Sequence, residues 1–454
     1  MVELTPELIT RLDRPGPRYT SYPTANLFSE VFTEEAWKSA LTEAGKSREP
    51  FSLYVHLPFC EQLCTYCACN VVVRKNIRLA GDPYLERVFK EAEMAVALVG
   101  DRPVGHLHLG GGTPNYLEKD QMEALMGGLK ERFNFLPDAE LAIEVDPRHF
   151  EEGQLEWLHA LGFRRASFGL QDVEPSVQVA IGREQTVEQT ERAFKAARKA
   201  GFGSINMDLV YGLPTQTLDS FHRTVKKIVE LGPDRLAIFS FAYVPQVKPH
   251  QTKLDTGALP AAMEKASMLA DCVATLTANG YVQVGMDHYA KEGDALATSF
   301  KDGTLQRNFQ GYVPGPRMEI LGLGATAISD FGGAFAQNHH KIKDYDAAID
   351  SGHLPLSRGW TRTFEDEVRR SAIHDLMCTF RLDFGRLKEK FDVDHDTYFA
   401  DVLPGLDAVQ EQQLIERDEA GIKVTELGRL FVRNVAMLYD GYLKTRPGNF
   451  SRTV

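Results

Sequence analysis

The sequence contains no uninterrupted run of about 18 apolar residues, so it offers no membrane-spanning helix. Its start, MVELTPELITRLDRPGPRYT, lacks the basic-then-apolar order of a secretory signal, and a cytoplasmic protein is expected. A basic excess is also absent. Lys+Arg 51 against Asp+Glu 63 gives a formal charge of −12, which does not favour a surface that neutralises nucleic-acid phosphates. Gly 37 and Pro 22 are too few for a collagen-like or broadly disordered chain. No solenoid repeat, GxSxG elbow or P-loop is visible. Cysteine is scarce and uneven: of six, four are Cys60, Cys64, Cys67 and Cys69, while Cys272 and Cys378 stand alone in apolar contexts. In a reducing compartment this argues against a disulfide framework and for a metal site.

What is present suits a folded protein. Hydrophobic residues at 43% and charged residues at 25% are ordinary globular usage, and 454 residues suggest roughly two or three domains. Six β-like segments (FSLYVHL, HLHLGGG, LAIEVDP, RASFGLQ, INMDLVYGLP and RLAIFSF) alternate with helical candidates over 82–99, 186–201 and 217–232. In the second of these Val187, Thr190, Ala193, Phe194 and Ala197 recur at helical spacing, and Gly201 marks the stop. The alternation predicts an α/β fold with a parallel sheet of βα units. Six such units, followed by GYVQVGMDHYA (280–290), fit a partial, three-quarter TIM-like barrel better than a complete one. The strands end in Gly110 to Thr113, Glu144, Gln171 and Asp208, where βα barrels keep their active sites.

Three regions are expected. Residues 1–45, with RPGPRYTSYPTA, read as an extended N-terminal arm contributing to the substrate cavity. Residues 46–360 hold the barrel and its extension, and 361–454 form a C-terminal helical, winged-helix-like domain. There Thr363 caps a helix whose stripe is Val368, Ala372, Ile373, Leu376, Met377 and Phe380. LIERDEAGIKVT (414–425) reads as a two-stranded wing and LGRLFVRNVAMLYDGYL as one further helix.

Cys60, Cys64 and Cys67 have CxxxCxxC spacing just after the first β segment. Three thiolates on one loop suit a [4Fe–4S] cluster and leave one iron open to a chelating ligand. Zinc is the chemical rival, but it usually takes paired CxxC or Cys/His sets, and no second pair exists here. Tyr54 and His56 alternate on one face of the preceding strand, so both can point toward the loop, although His56 could equally be a satisfied core histidine. Three successive glycines at 110–112 would let backbone groups approach a ligand closely. LGLGATA (321–327) matches GxGxxA, but it lacks a clear following helix and a ribose-binding acid, so a dinucleotide site is not assigned.

The cysteine motif, with the aromatic Tyr66 before its third cysteine, resembles that of the radical S-adenosylmethionine (SAM) enzymes. Within that superfamily the chain resembles the oxygen-independent coproporphyrinogen III oxidases (dehydrogenases) of haem biosynthesis. The shared stretches are PRYTSYPTA, YVHLPFCxxLCxYCxCN, GGGTP, EVDP, GLQD, GREQ, MDLVYGLP, RNFQGY and the terminal FSR, running from residue 17 to the end. The resemblance implies a [4Fe–4S] cluster on Cys60, Cys64 and Cys67, with SAM on its open iron as the source of a 5′-deoxyadenosyl radical. It implies oxidative decarboxylation of two propionates of coproporphyrinogen III to vinyl groups, giving protoporphyrinogen IX without oxygen. An electron donor such as flavodoxin or ferredoxin, no nucleic-acid partner and a monomer are expected with it.

Residue roles follow from the same resemblance. Tyr54, His56 and Cys69 are the catalytic candidates, and Tyr54 also contacts SAM. The other SAM positions are Gly111, Gly112, Thr113, Glu144, Gln171, Arg183, Asp208, Ala242 and Ile328, with LGLGATA as a cavity wall. Cys69 as a fourth ligand would occupy the iron that SAM needs, so it has either a supporting, substrate-side role or is an inert buried residue. The substrate's propionates need cationic or hydrogen-bonding partners, for which Arg18, Arg307 and Gln310 are candidates. Read blandly, Arg183 is a surface ion pair and Arg307 an exposed loop cation. Ala68 and Asn115 depart from the family pattern, where glycine and a hydroxyl residue are common. A radical-SAM-like haem-binding chaperone is the alternative, against which PRYTSYPTA and the second cysteine of CAC both argue.

Overall fold

The computed structural model describes residues 5–445, 448 and 450–453. Its centre is a twelve-stranded sheet. Six strands pair in parallel in chain order: Phe51–Leu57, Val104–Gly111, Phe135–Val145, Phe163–Gln171, Ser204–Tyr211 and Arg235–Ser240. Each is followed by helix, the main ones being Ile77–Val99, Lys119–Arg132, Gln154–Ala160, Val187–Ala200, Leu218–Leu231 and Ala262–Ala278. These are the six expected βα units. The first strand is buried along its length except at half-buried Tyr54, as a parallel strand covered on both faces should be.

Local chemistry sets the helix ends. Thr186 accepts from the Gln189 N–H while the Gln189 side chain accepts from the Thr186 N–H, and Gly201 closes the helix at φ 97°. The first barrel helix begins earlier than residue 82, at Ile77. The Asn76 side chain caps it, and Pro83 is carried inside the helix.

Two antiparallel extensions flank the parallel part. Tyr281–Val284 and His288–Lys291 form a hairpin on the sixth strand. On the other side Ile320–Leu323 pairs in parallel with the first strand and leads to Ile328–Phe331, Ala334–Asn338 and Leu356–Thr361. LGLGATA is therefore the end of one strand and the turn, 324–327, into the next, with no helix after it. The two edge strands, Tyr281–Val284 and Leu356–Thr361, are not paired with each other, so the barrel is open.

The arm differs in part from expectation. Residues 13–24 are extended, but Pro6–Leu12 and Glu34–Ala44 are helices, capped by Thr5 and Thr33. Arm residues touch both sides of the opening. Arg18 Nη2 donates to Ser240 O at 2.8 Å, and Ser29 exchanges backbone hydrogen bonds of 2.8 and 3.0 Å with Gly359.

The C-terminal region has the expected helix Phe364–Thr379, capped by Thr363 with its whole predicted stripe buried, whereas the expected two-stranded wing, Ile415–Arg417 with Gly421–Val424, is three-stranded because Arg381–Asp383 pairs with its second strand. The expected final helix is broken into Glu426–Leu430 and Val432–Ala436 by Phe431, whose side chain is buried. Ile9, Leu12, Tyr19 and Tyr22 of the arm share one core with Val368, Leu376, Phe399 and Val435. Arm and C-terminal domain thus pack as one body. No helix among the described residues is long and apolar enough to cross a membrane.

Candidate active site

Strand periodicity builds the site. Residues two apart along a strand share a face, and the inward faces, from strand starts to strand ends, carry His106 and His108, Glu144, Arg165, Ser167, Gly169 and Gln171, Asn206 and Asp208, then Arg235, Ala237 and Phe239. With the cysteine loop they enclose a cavity of about 440 Å³. A neighbouring cavity of about 490 Å³ shares Cys69, His108, Gly111, Glu144 and Gln310 with it and adds Tyr54, His56 and Ile328.

The cysteine loop is held by its backbone. Thr65 N donates to Ile181 O at 2.9 Å. Three side chains from the segment after the sixth strand take its carbonyls: Gln251 Nε2 to Tyr66 O at 3.1 Å, His250 Nε2 with Cys67 O at 2.7 Å, and Lys248 Nζ to Cys69 O at 3.0 Å. Gln251 also donates to Ala242 O at 3.0 Å. Ala242 itself lies outside both cavity walls, tied to the loop through Gln251. Lys248, His250 and Gln251 carry no sequence signal, because their partners are backbone carbonyls about 180 residues away.

Cys60, Cys64 and Cys67 all line the cavity, Cys64 buried and the other two half-buried. The Thr113 hydroxyl donates to Cys60 Sγ at 3.3 Å. Arg148 and Arg183 reach Cys64 Sγ at 3.8 and 3.9 Å. Hydrogen-bond donors and guanidinium charge around thiol sulfurs suit thiolate ligands. Among the described residues no group of three or more His, Cys, Asp and Glu closes around a single ion. Three thiols from one loop facing one cavity, with a hydroxyl donor at Cys60 and guanidinium groups at Cys64, fit the three protein-held corners of a [4Fe–4S] cluster. Cys69 is exposed and lines both cavities, so it is not an inert buried residue.

Arg183 is not a surface ion pair. It is buried, bonding Asp146 Oδ2 at 3.0 Å and Gly169 O at 2.7 Å. Arg148 shares the same carboxylate at 2.7 Å. Burial alone would raise the Asp146 carboxyl, yet Arg183 and then Arg148 outweigh it and hold it well below the usual carboxylate range. Asn115 positions this acid, accepting from Asp146 N at 2.8 Å and donating to Asp146 O at 3.2 Å. The departure at Asn115 therefore has a structural use.

Glu144 accepts from Gly111 N at 3.0 Å and from His108 Nε2 at 3.2 Å. Burial pushes its carboxyl up, but these donors hold it below the ordinary value. Asp208 lies opposite, bonded to Asn206 Nδ2 at 2.7 Å and Ser167 Oγ at 3.3 Å, and burial followed by repulsion from Glu144 pushes it up to about 7. Tyr54 Oη meets His56 Nδ1 at 2.9 Å, and His56 Nε2 meets Asn70 O at 3.0 Å, just beyond the loop. Gln171, at φ 72°, closes the fourth strand on the cavity wall.

The glycines, two of which line the cavity, also serve the protein's own packing. A Cβ on Gly110 would lie 2.7 Å from the Glu144 carboxylate, on Gly111 2.6 Å from the His56 ring, and on Gly112 2.6 Å from Phe59 O. Their bareness serves close approach within the protein: Gly112 packs on the Pro58–Phe59 backbone that launches the cysteine loop.

The substrate candidates separate. Gln310 lines both cavities. Arg18 and Arg307 line neither. Both turn to Asp287, at 3.6 and 3.7 Å, and Arg307 Nε also donates to Arg18 O at 3.1 Å. Arg307 is buried rather than an exposed loop cation, its side chain only 4% exposed.

A three-cysteine loop at the mouth of an open six-unit βα barrel defines a radical SAM protein, and residues 54–228 match the model of the radical SAM superfamily. Residues 363–431 match that of the HemN C-terminal domain. The oxygen-independent coproporphyrinogen III oxidase of Escherichia coli is 43% identical over 449 residues, 98% of each chain, and that of Synechocystis 40% over 460 residues, covering 100% of this chain and 98% of its own. A solved structure of coproporphyrinogen III oxidase from Escherichia coli, described as a radical SAM enzyme, superposes with a TM-score of 0.90 over 94% of this chain and 98% of that one. The chain belongs to the oxygen-independent coproporphyrinogen III oxidase family.

Proposed function

We propose that this protein performs the oxygen-independent oxidative decarboxylation of two propionate side chains of coproporphyrinogen III to vinyl groups, giving protoporphyrinogen IX. The observation that carries it is one cavity uniting Cys60, Cys64 and Cys67 with Thr113, Glu144 and Asp208 from the second, third and fifth parallel strands and their ends. When bound, a [4Fe–4S] cluster with SAM on its open iron supplies the 5′-deoxyadenosyl radical that takes a propionate β-hydrogen, after which CO2 and one electron leave.

The chain's residues do the rest. Cys60, Cys64 and Cys67 would ligate the cluster, with Thr113, Arg148 and Arg183 offsetting thiolate charge. Gly111, Gly112 and Thr113, Glu144, Gln171, Arg183, Asp208, Ala242 and Ile328 are the assigned SAM positions. Glu144 and Asp208 offer carboxyl acceptors to hydroxyl and amino groups. Tyr54 and His56 orient each other over the second cavity, and exposed Cys69 faces substrate. The arm and C-terminal domain limit access of water to the radical.

We assign residues 1–45 to the arm, 46–360 to the catalytic barrel and 361–454 to the C-terminal domain, acting as a cytoplasmic monomer with a flavodoxin or ferredoxin as donor. The test is anaerobic reconstitution followed by incubation with coproporphyrinogen III, SAM and a reductant. Vinyl products with 5′-deoxyadenosine are expected. SAM cleavage without any decarboxylation would overturn the reading.

A further inference from the structure

Beside the main cavity lies a smaller one of about 150 Å³, reached by both the barrel and the helix Phe364–Thr379. His106, Arg165, Gln310 and Val313 belong to both walls. On its far side Gln306, Arg317 and Arg370 are shared with a third cavity of about 520 Å³, so three spaces lie in series.

The middle space has too much positive charge. Arg165, Arg307, Arg317 and Arg370 line it against two carboxylates, Glu140 and Asp330, and Asp330 is also shared with Arg362 at 2.6 Å. Three buried donors on residues of its lining, Arg307 Nη1, Arg370 Nη1 and Gln310 Nε2, have no hydrogen-bond acceptor among the described residues, Arg307 Nη1 being the one on the Asp287 side. The carboxylates paired with the two guanidinium atoms are 3.7 and 3.9 Å away, beyond hydrogen-bond reach. Burial also lowers Arg370 to about 10. Unmet donors around surplus positive charge call for an anionic acceptor. Size narrows the choice. The space exceeds the roughly 30 Å³ share of one water but falls short of the roughly 300 Å³ at which ligand pockets begin, so it admits a side arm and not a ring system.

We propose that this side cavity receives the carboxylate of a propionate that is not decarboxylated, held by Arg307, Arg370 and Gln310 with Arg317 at the outer mouth. The inference rests on the decarboxylase reading above. A propionate anchored past Gln310 fixes the rotation of the macrocycle, so the arm left in the main cavity is the one presented for reaction.

The test uses full-length reconstituted enzyme with Arg370→Gln and Arg317→Gln, assayed on coproporphyrinogen III and on two analogues in which one or the other non-reacting propionate is replaced by ethyl. Arg317 is half-exposed, and Asp330 keeps Arg362 and Arg370 in its absence, so that variant retains its fold if Arg370→Gln does not. For coproporphyrinogen III, KM rises about tenfold in each variant. For one analogue the wild type shows the same rise and the variants show no further one, the signature of coupled partners. Additive losses on both analogues, with the wild type turning over, overturn the side cavity alone. Failure of the wild type to decarboxylate coproporphyrinogen III overturns the underlying reading and this inference with it.

Discussion

Single residues carry the sharpest tests. Cys60→Ala, Cys64→Ala and Cys67→Ala should each abolish an iron–sulfur chromophore amounting to about four iron per chain, whereas Cys69→Ala keeps it. Iron analysis after anaerobic purification decides this, and loss of iron in the Cys69 variant would make it a ligand. Gly112→Val should also lose iron, because its Cβ would push on the Phe59 carbonyl beneath the cysteine loop. Gly127→Ala, with nothing within 4 Å of its added Cβ, is the control and keeps full iron. Asp208 gives a pH signature. Its folded carboxyl titrates at about 7, against roughly 3.9 for an unfolded one, so the native state loses stability as pH rises through that window. Asp208→Asn should therefore be more stable than wild type at pH 8, by on the order of 1–4 kcal/mol, with the gain vanishing near pH 4. Urea midpoints of the metal-free protein across that range measure it, and a gain independent of pH would remove the perturbed carboxyl from the site.

At the scale of elements, most of what positions the chemistry was legible. The six strands were readable because their inward faces alternate and their ends turn polar at Gly110, Glu144, Gln171 and Asp208. The same period of two also placed His106, His108 and Arg165 inward, a signal that attention to strand ends alone passes over. Other features depend on distant partners. Nothing near Arg18 or Arg307 in the chain announces that both turn to Asp287, and nothing near Phe431 announces a helix break. There a Cβ on Gly428 would meet Leu414 O at 1.9 Å, so the segment is shaped by the wing it packs on. The helix Glu34–Ala44 had its signal, Thr33 followed by Glu34 and Glu35, inside a region dominated by proline. The helix Ile77–Val99 carries a further prediction. Glu91, buried within it, accepts from Gly324 N at 2.7 Å, Asn338 Nδ2 at 2.6 Å and Tyr345 Oη at 2.7 Å, fixing the turn that leads to Ile328. Glu91→Ala strands three buried donors and should cost roughly 3 kcal/mol or more in urea unfolding, with weaker SAM binding. Unchanged affinity would detach that turn from the cofactor site.

At the scale of the whole molecule, the arm is joined to the C-terminal region. Arg433 donates to Pro17 O at 3.0 Å, to Arg452 O at 2.8 Å and to Ser451 O at 3.1 Å, and also bonds Gly16 O. The Arg452 side chain returns to Asp13, and Thr453 N donates to Arg14 O at 2.9 Å. Arg433→Ala should lower stability by roughly 2–3 kcal/mol and speed proteolysis within residues 13–24 relative to the barrel. Equal cleavage in both proteins would show that the arm holds without it. This junction joins segments that lie on either side of the barrel in the chain. The arm precedes the barrel in the chain, and its anchor at Arg433 and Ser451 to Thr453 follows the barrel. The arm's bonds to Ser240 and Gly359 need only the barrel, whereas those to Arg433 and 451–453 need the C-terminal region, so the arm is seated in two stages and its second clasp can open while the first still holds.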